Sequence, residues 1–287
     1  TDRQRFEEAE AYLDEKLADW PHLGNPLPEE EISTYELRRI ALPLYGMERW
    51  KDLFNPRQQL ALSVFLDQIK SGYEHIVQDC AALTNREGLE VSSRALAKAV
   101  TGYLSLVLSR QADYCTNICS WHNTGEKLNH TFGRQALPMG WDHVELNPMS
   151  GSGGDWLSQL DWIVRFVKNN DWESASSEAA HDSATDLQYE DSSLDAVITD
   201  PPYYDNVPYA ALSDFFYVWL KRAVGEHFPD LFSTPLIPKT DEIVHDRPHG
   251  QSDSIKTKEY FEEELGRSFH EMHRVLKPDG IAVVVRP

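Results

Sequence analysis

Apolar residues recur at helical spacing through the first half of the chain. Leu60, Val64, Phe65, Ile69 and Tyr73 fall on one side of a helix, because positions three and four apart share a face. Asn55-Pro56 precedes them and reads as an N-cap followed by proline at the first helical position, where its missing N–H is not needed. Leu96, Val100, Leu104, Leu108 and Tyr114 predict a second, longer helix over 89–118. Gly24-Asn25-Pro26 and Thr84-Asn85 read as connections. These stripes form core-facing surfaces, and no internal repeat is visible.

The second half alternates short apolar runs with helical segments. Asp142 to Leu146 predicts a strand, followed by a Gly/Ser loop over 150–154 and an amphipathic helix from Trp156 to Val167. Residues 171–195 hold eight acids and no Lys or Arg, which predicts a solvated loop with one short buried strand inside it. Leu194 to Thr199 reads as a buried strand, Ala210 to Val224 and Thr257 to Leu276 as helices, Lys277-Pro278-Asp279-Gly280 as a turn, and Ile281 to Val285 as a β-branched strand. Strand, helix, strand implies a parallel sheet with crossover helices. The pattern divides the chain into a helical region, 1–138, and an α/β region, 139–287.

Composition adds constraints. At 41% hydrophobic the 287-residue chain can bury a core, and it holds no run of about 18 apolar residues. Thr1 to Glu10 is charged and lacks a signal-peptide core. A cytoplasmic protein with no membrane partner is the simplest expectation. The formal charge of −20 is unusual for a protein that handles nucleic acid. Either the substrate is not nucleic acid, or the chain works in a halophilic, salt-rich cytoplasm that screens its charge; the dispersal of the acids and the scarcity of lysine relative to arginine favour the second. Residues 85–140 carry six cations, Arg86, Arg94, Lys98, Arg110, Lys127 and Arg134, against four acids. That locally basic stretch is either a phosphate-facing surface or an ordinary helical face with solvated arginines.

The three cysteines, Cys80, Cys115 and Cys119, are too few for a disulfide framework. Cys115 and Cys119 are placed on one helix face by their spacing, with His122 and His130 nearby. A zinc site needs about four such ligands, but two small buried thiols is the simpler reading, and no metal is expected.

The strand ending at Thr199 runs into Asp200-Pro201-Pro202-Tyr203. Ligands of open parallel sheets sit beyond the carboxyl ends of strands. The two prolines fix a rigid turn, leaving the Pro201 carbonyl and the Asp200 carboxylate as neighbouring acceptors and Tyr203 as a flat ring. An exocyclic amine conjugated to an aromatic ring is a poor nucleophile because its lone pair is delocalised. Two acceptors can hold both N–H groups and turn the lone pair toward an electrophile, while a stacked ring holds the base plane.

Asp-Pro-Pro-Tyr after such a strand resembles the signature of amino-methyltransferases that modify adenine N6 or cytosine N4. The run from Asp200 to Tyr209 looks like one subgroup of adenine-specific DNA methylases with an amino-terminal domain of unknown function. Pro43 to Met47 through Phe54 to Gln58, Thr131 to Met139, and Glu271 to Pro278 resemble it too. The resemblance implies that Asp200 and the Pro201 carbonyl bind the target amine, Pro202 completes the turn, Tyr203 stacks on the base, and Asp182-Ser183 contacts the adenine of S-adenosylmethionine. It also implies a glycine-rich cofactor motif, which is not found; the loop Gly151-Ser152-Gly153-Gly154 stands in the wrong order relative to the strands. The expectation is therefore a partial Rossmann-like methyltransferase sheet with a large helical domain or insertion, apparently a fragment, transferring a methyl group to adenine N6 of a flipped base in DNA. Cytosine N4 or RNA is the alternative target, and a non-catalytic nucleic-acid-binding module is the alternative of another class. The related zinc ribbon has no Cys-x-x-Cys here.

Overall fold

The computed structural model describes residues 2–170, 177–204, 207–245 and 256–285. Among them are seven α-helices and two two-stranded sheets, a mixed α/β chain. It divides into two compact units, Thr1–Asn170 with Ala211–Ile237, and Asp171–Ala210 with Pro238–Pro287.

The first unit is built on α1 (Asp2–Asp19), α2 (Pro56–Ser71), α3 (Tyr73–Glu87), α4 (Ser93–Asp113), α5 (Trp156–Asn169) and most of α6 (Tyr209–Val224). Asn55 caps α2 as expected: its Oδ1 accepts from the Gln58 amide at 3.1 Å, and the Gln58 side chain accepts from the Asn55 amide at 2.8 Å. The stripe ending at Tyr73 spans two helices, because α2 stops at Gly72 and Tyr73 opens α3. The expected connection at Thr84-Asn85 lies inside α3, which ends instead at Gly88 with φ +65°. A left-handed residue is what ends a helix here, and glycine supplies it without strain. The predicted helix over 89–118 is shorter at both ends, capped by Ser92 and finished at Asp113. A small hairpin, β1 (Ser120–His122) with β2 (Lys127–Asn129), follows it.

The core of this unit gathers aromatic rings from distant parts of the sequence. Phe215 and Trp219 on α6, Trp50, and Phe54 just before α2 are all buried. Phe54 lies 6.0 Å from Phe215, stacked, and 5.4 Å from Trp219, edge-on. Phe132 meets Phe215 edge-on at 5.2 Å. Such pairs add about 0.5–1.5 kcal/mol each beyond their burial.

In the second unit β3 (Leu194–Thr199) pairs in parallel with β4 (Leu276–Val284), and α7 (Lys258–Val275) leads directly into β4. Pairing passes from Leu194↔Leu276 to Ala196↔Ile281. Residues 277–280, predicted as a turn, are therefore skipped by the ladder although they lie within the strand. Gly280 is closely surrounded there: a Cβ would sit 2.9 Å from Leu276 Cδ2 and 3.0 Å from the Lys277 carbonyl oxygen, so both would have to shift. Arg274 at the end of α7 fastens the approach to β3. It donates to the carbonyls of Leu187 and Tyr189 and pairs with Asp191 and Glu271 at 2.7–2.9 Å.

Three strand expectations need correction. β3 is not buried: Ile198 is 74% exposed and its partner on β4, Val283, is 44% exposed, while Ile281, opposite Ala196, is 64% exposed. Parallel strands normally have both faces covered, but among the described residues β3 has β4 alone beside it. Asp142 to Leu146 forms no strand; Val144 makes one backbone bond, to the Cys119 carbonyl, and Arg57 grips Glu145 through two hydrogen bonds. In 177–193 the expected buried strand is replaced by an isolated bridge, Ser183↔Asp186; residues 171–176 lie outside the described residues. Two paired parallel strands make the chain α/β without specifying a Rossmann-like sheet.

Candidate functional site

The end of β3 delivers Asp200 to the surface, and Pro201, Pro202 and Tyr203 follow half-exposed. Tyr203 curls back and its hydroxyl donates to Asp200 Oδ1 at 2.8 Å. The carboxylate holds the phenol in its protonated form, so the Tyr203 pKa is raised above the ordinary tyrosine value. Asp200 Oδ2 and the Pro201 carbonyl oxygen accept no hydrogen bond among the described residues. Two unused acceptors thus sit on adjacent residues of a proline-stiffened turn, and the ring beside them is tied at its hydroxyl.

What holds this turn includes residues to which the sequence reading gave no part in the site. Tyr204 has φ +22°, and its carbonyl accepts from the His245 amide at 2.9 Å. Its ring lies 4.8 Å from the His245 ring and 5.1 Å, edge-on, from Phe261. Farther on, the Ala210 amide at the start of α6 donates to Glu242 Oε1 at 2.9 Å, and the buried Lys256 donates to the Glu242 carbonyl at 2.5 Å. Glu242 therefore holds Ala210, and His245 and Phe261 hold Tyr204. Nothing local in the sequence announces this, because His245 and Phe261 are 41 and 57 positions from Tyr204.

Asp182 is exposed, and Ser183 shares its hydroxyl with Thr185 at 2.8 Å. No hydrogen bond or ion pair joins this turn to Asp200–Tyr203 among the described residues. Its oxygens suit the amine of an adenine ring, but nothing in it suits a sulfonium or a methionine end. The loop at 151–154 does not supply that part. Gly151 donates to Asp155 Oδ2 at 2.8 Å, Gly154 to Ser158 Oγ at 2.9 Å, and Ser152 to Ser150 Oγ at 3.3 Å. Three of its four amides are thus taken by side chains of flanking residues, so an anion would have to displace them. The described residues do not make a complete S-adenosylmethionine site.

The cysteines resolve differently from their spacing. Both lie beyond the end of α4, not on it. Cys115 accepts from Gln111 Nε2 at 3.2 Å, and Cys119 touches Thr116 and Thr131. Burial pushes the Cys115 thiol up to about 12. His122 Nδ1 accepts from the Gly125 amide instead, and no group of three or more metal-ligating side chains gathers among the described residues. His130 Nδ1 is 2.8 Å from Asp113 Oδ2 but outside hydrogen-bond geometry; burial raises the Asp113 pKa despite the opposing pull of His130.

The basic stretch is largely engaged within the chain. Arg86 pairs with Glu87, Arg94 with Glu74, Arg110 donates to Gln159, and Lys98 lies over the Phe228 ring. In the first unit Ile40 bridges Leu137, and the Tyr45 and Trp141 rings touch edge-on at 5.7 Å. Comparison of the chain with protein-family models, curated proteins and solved structures found no match.

Proposed function

We propose that the chain carries the target-amine pocket of an S-adenosylmethionine-dependent amino-methyltransferase, acting on adenine N6 in DNA. The observation that carries this reading is the turn at the carboxyl end of β3, where Asp200 Oδ2 and the Pro201 carbonyl oxygen are adjacent acceptors on a stiff backbone that take no hydrogen bond among the described residues. Each takes one N–H of the amine and so aims its lone pair outward. Tyr203, once released from Asp200, provides the face on which a flipped base rests. S-adenosylmethionine, when bound, would supply the electrophilic methyl group, and Asp182 and Ser183 are suited to the amine of its adenine. Methyl transfer then needs orientation rather than a covalent intermediate on the chain, and orientation alone can supply much of a rate. The charge of −20 fits a halophilic cytoplasm, where salt screens the repulsion between the acidic surface and DNA.

The test is nucleoside analysis of DNA incubated with S-adenosylmethionine and a protein containing this chain. N6-methyladenine is the expected product. N4-methylcytosine, or a methylated RNA, would move the target while keeping the pocket. Asp200→Ala should abolish turnover and leave DNA affinity largely intact, since phosphate contacts dominate affinity; a fully active variant would refute the assignment. The occupied amides of Gly151, Ser152 and Gly154 favour one second reading, a module that binds nucleic acid without catalysis. Calorimetric titration of S-adenosylmethionine separates the two, because binding by the folded chain excludes the purely non-catalytic module.

A further inference from the structure

We infer that Tyr204 is a positioning residue: its ring, packed against His245 and Phe261, sets the turn in which Tyr203 reaches Asp200. The inference rests on the reading of Asp200–Tyr203 as the amine pocket, and deepens it. Tyr203 and Tyr204 are consecutive yet have separate partners. Tyr203 bonds back to Asp200 at 2.8 Å. Tyr204 meets the His245 ring at 4.8 Å and the Phe261 ring at 5.1 Å, and its carbonyl takes the His245 amide at 2.9 Å. Phe261 is buried in the first turn of α7, so one side of the clamp is fixed to a helix, and His245 supplies the other from irregular chain. The backbone confirms that the ring is held against a local preference. With φ +22°, Tyr204 adopts a conformation that L side chains avoid and glycine accepts. Such a conformation persists only where its surroundings impose it. Tyr204 makes no hydrogen bond through its own hydroxyl among the described residues, so the ring, not the phenol oxygen, carries the role.

The experiment follows the Tyr203 phenol by NMR of the full chain labelled with [13Cζ]tyrosine, its signal assigned with Tyr203→Phe. In the parent chain Tyr203 titrates above ordinary tyrosine. Tyr204→Phe keeps the ring and should keep that shift. Tyr204→Ala should return Tyr203 to the ordinary value while the other tyrosine signals stay in place. Tyr204→Gly relieves the backbone and removes the ring, and serves if the alanine variant does not fold; it should also lose the shift. A raised Tyr203 pKa persisting in a folded Tyr204→Ala or Tyr204→Gly chain would overturn the inference, because the turn would then hold without the ring. Adenosine titrated into the same samples keeps the two readings apart. Weaker binding in Tyr204→Ala, restored in Tyr204→Phe, is expected. If the parent binds no adenosine, the amine-pocket reading fails while the Tyr203 titration still decides the role of Tyr204.

Discussion

Arg222 is the residue whose removal should most clearly loosen the first unit. It stands near the end of α6 with only 11% of its side chain exposed, and every N–H of its guanidinium is used. Nε donates to the Asn25 carbonyl at 3.0 Å, one terminal nitrogen to Glu30 Oε1 at 3.0 Å and the Val218 carbonyl at 2.9 Å, and the other to Glu30 Oε2 at 3.0 Å and the Leu27 carbonyl at 2.8 Å. One side chain therefore ties α6 to the irregular segment 25–30, which has no ladder of its own. Arg222→Ala leaves a Glu30 side chain only 20% exposed without its cation and strands backbone carbonyls beside it. Breaking a buried pair from one side costs about 3–5 kcal/mol. At about 2–4 °C per kcal/mol for a domain of this size, the melting temperature should fall by roughly 6–20 °C. Arg222→Lys keeps the charge but offers three donors from one point, so it should fall between the two. Arg222→Met with Glu30→Leu removes both charges and should recover much of the loss. The assay is urea unfolding followed by tryptophan fluorescence, which reports on the buried Trp50 and Trp219. A loss under about 1 kcal/mol for Arg222→Ala, the value of an ordinary exposed pair, would refute the argument.

Three further outcomes follow from the same structure. Gly280→Ala should destabilise the β3–β4 pair by about 1–3 kcal/mol, as overpacking does, because the new methyl would meet two carbonyl oxygens within 3.2 Å; amide exchange in β3 should accelerate, and unchanged exchange would show that the strand yields easily. Cys115, with its thiol pushed up to about 12 by burial, should resist thiol reagents in the native chain at pH 8 and react only on unfolding. Its folded form holds a proton that the unfolded chain releases near the ordinary thiol value, so its contribution to stability is present below that value and lost as pH rises toward 12; Cys115→Ala should flatten the alkaline limb of the stability profile. Finally, thermal stability should rise between about 0.1 and 1 M salt, where the Debye length shrinks from about 10 to 3 Å, because a chain of −20 repels itself; a fall in melting temperature would contradict that.

The parts legible in the sequence were those set by neighbours along the chain. Asn55-Pro56 and Gln58 announce a capping box because all its atoms lie within one turn. Thr199 followed by Asp-Pro-Pro-Tyr announces a strand end because prolines act on their own backbone. Boundaries failed where one residue outweighed a pattern: the stripe through Tyr73 ignored Gly72, and the helix at Thr84-Asn85 continued until Gly88 could turn left-handed. Exposure failed because an apolar run is compatible with a buried strand, while burial depends on what else stands beside it. Ile198 has the composition of a core position and 74% exposure.

The candidate site divides along the same line. Its acceptors could be named from the tetrapeptide, since a carboxylate and a carbonyl are properties of residues. Their availability could not, since it depends on which hydrogen bonds the fold has already made. Among the described residues nothing donates to Asp200 Oδ2 or the Pro201 carbonyl, while the amides of Gly151, Gly154 and Ser152 go to Asp155, Ser158 and Ser150, and Arg86 and Arg94 pair with Glu87 and Glu74. A glycine-rich loop and a basic stretch are thus poor evidence of anion binding until their donors are shown to be free, whereas a rigid turn with idle acceptors retains its chemistry. By that asymmetry the turn at Asp200–Tyr203 supports the proposed amine pocket better than the charge pattern of the chain supports a nucleic-acid surface.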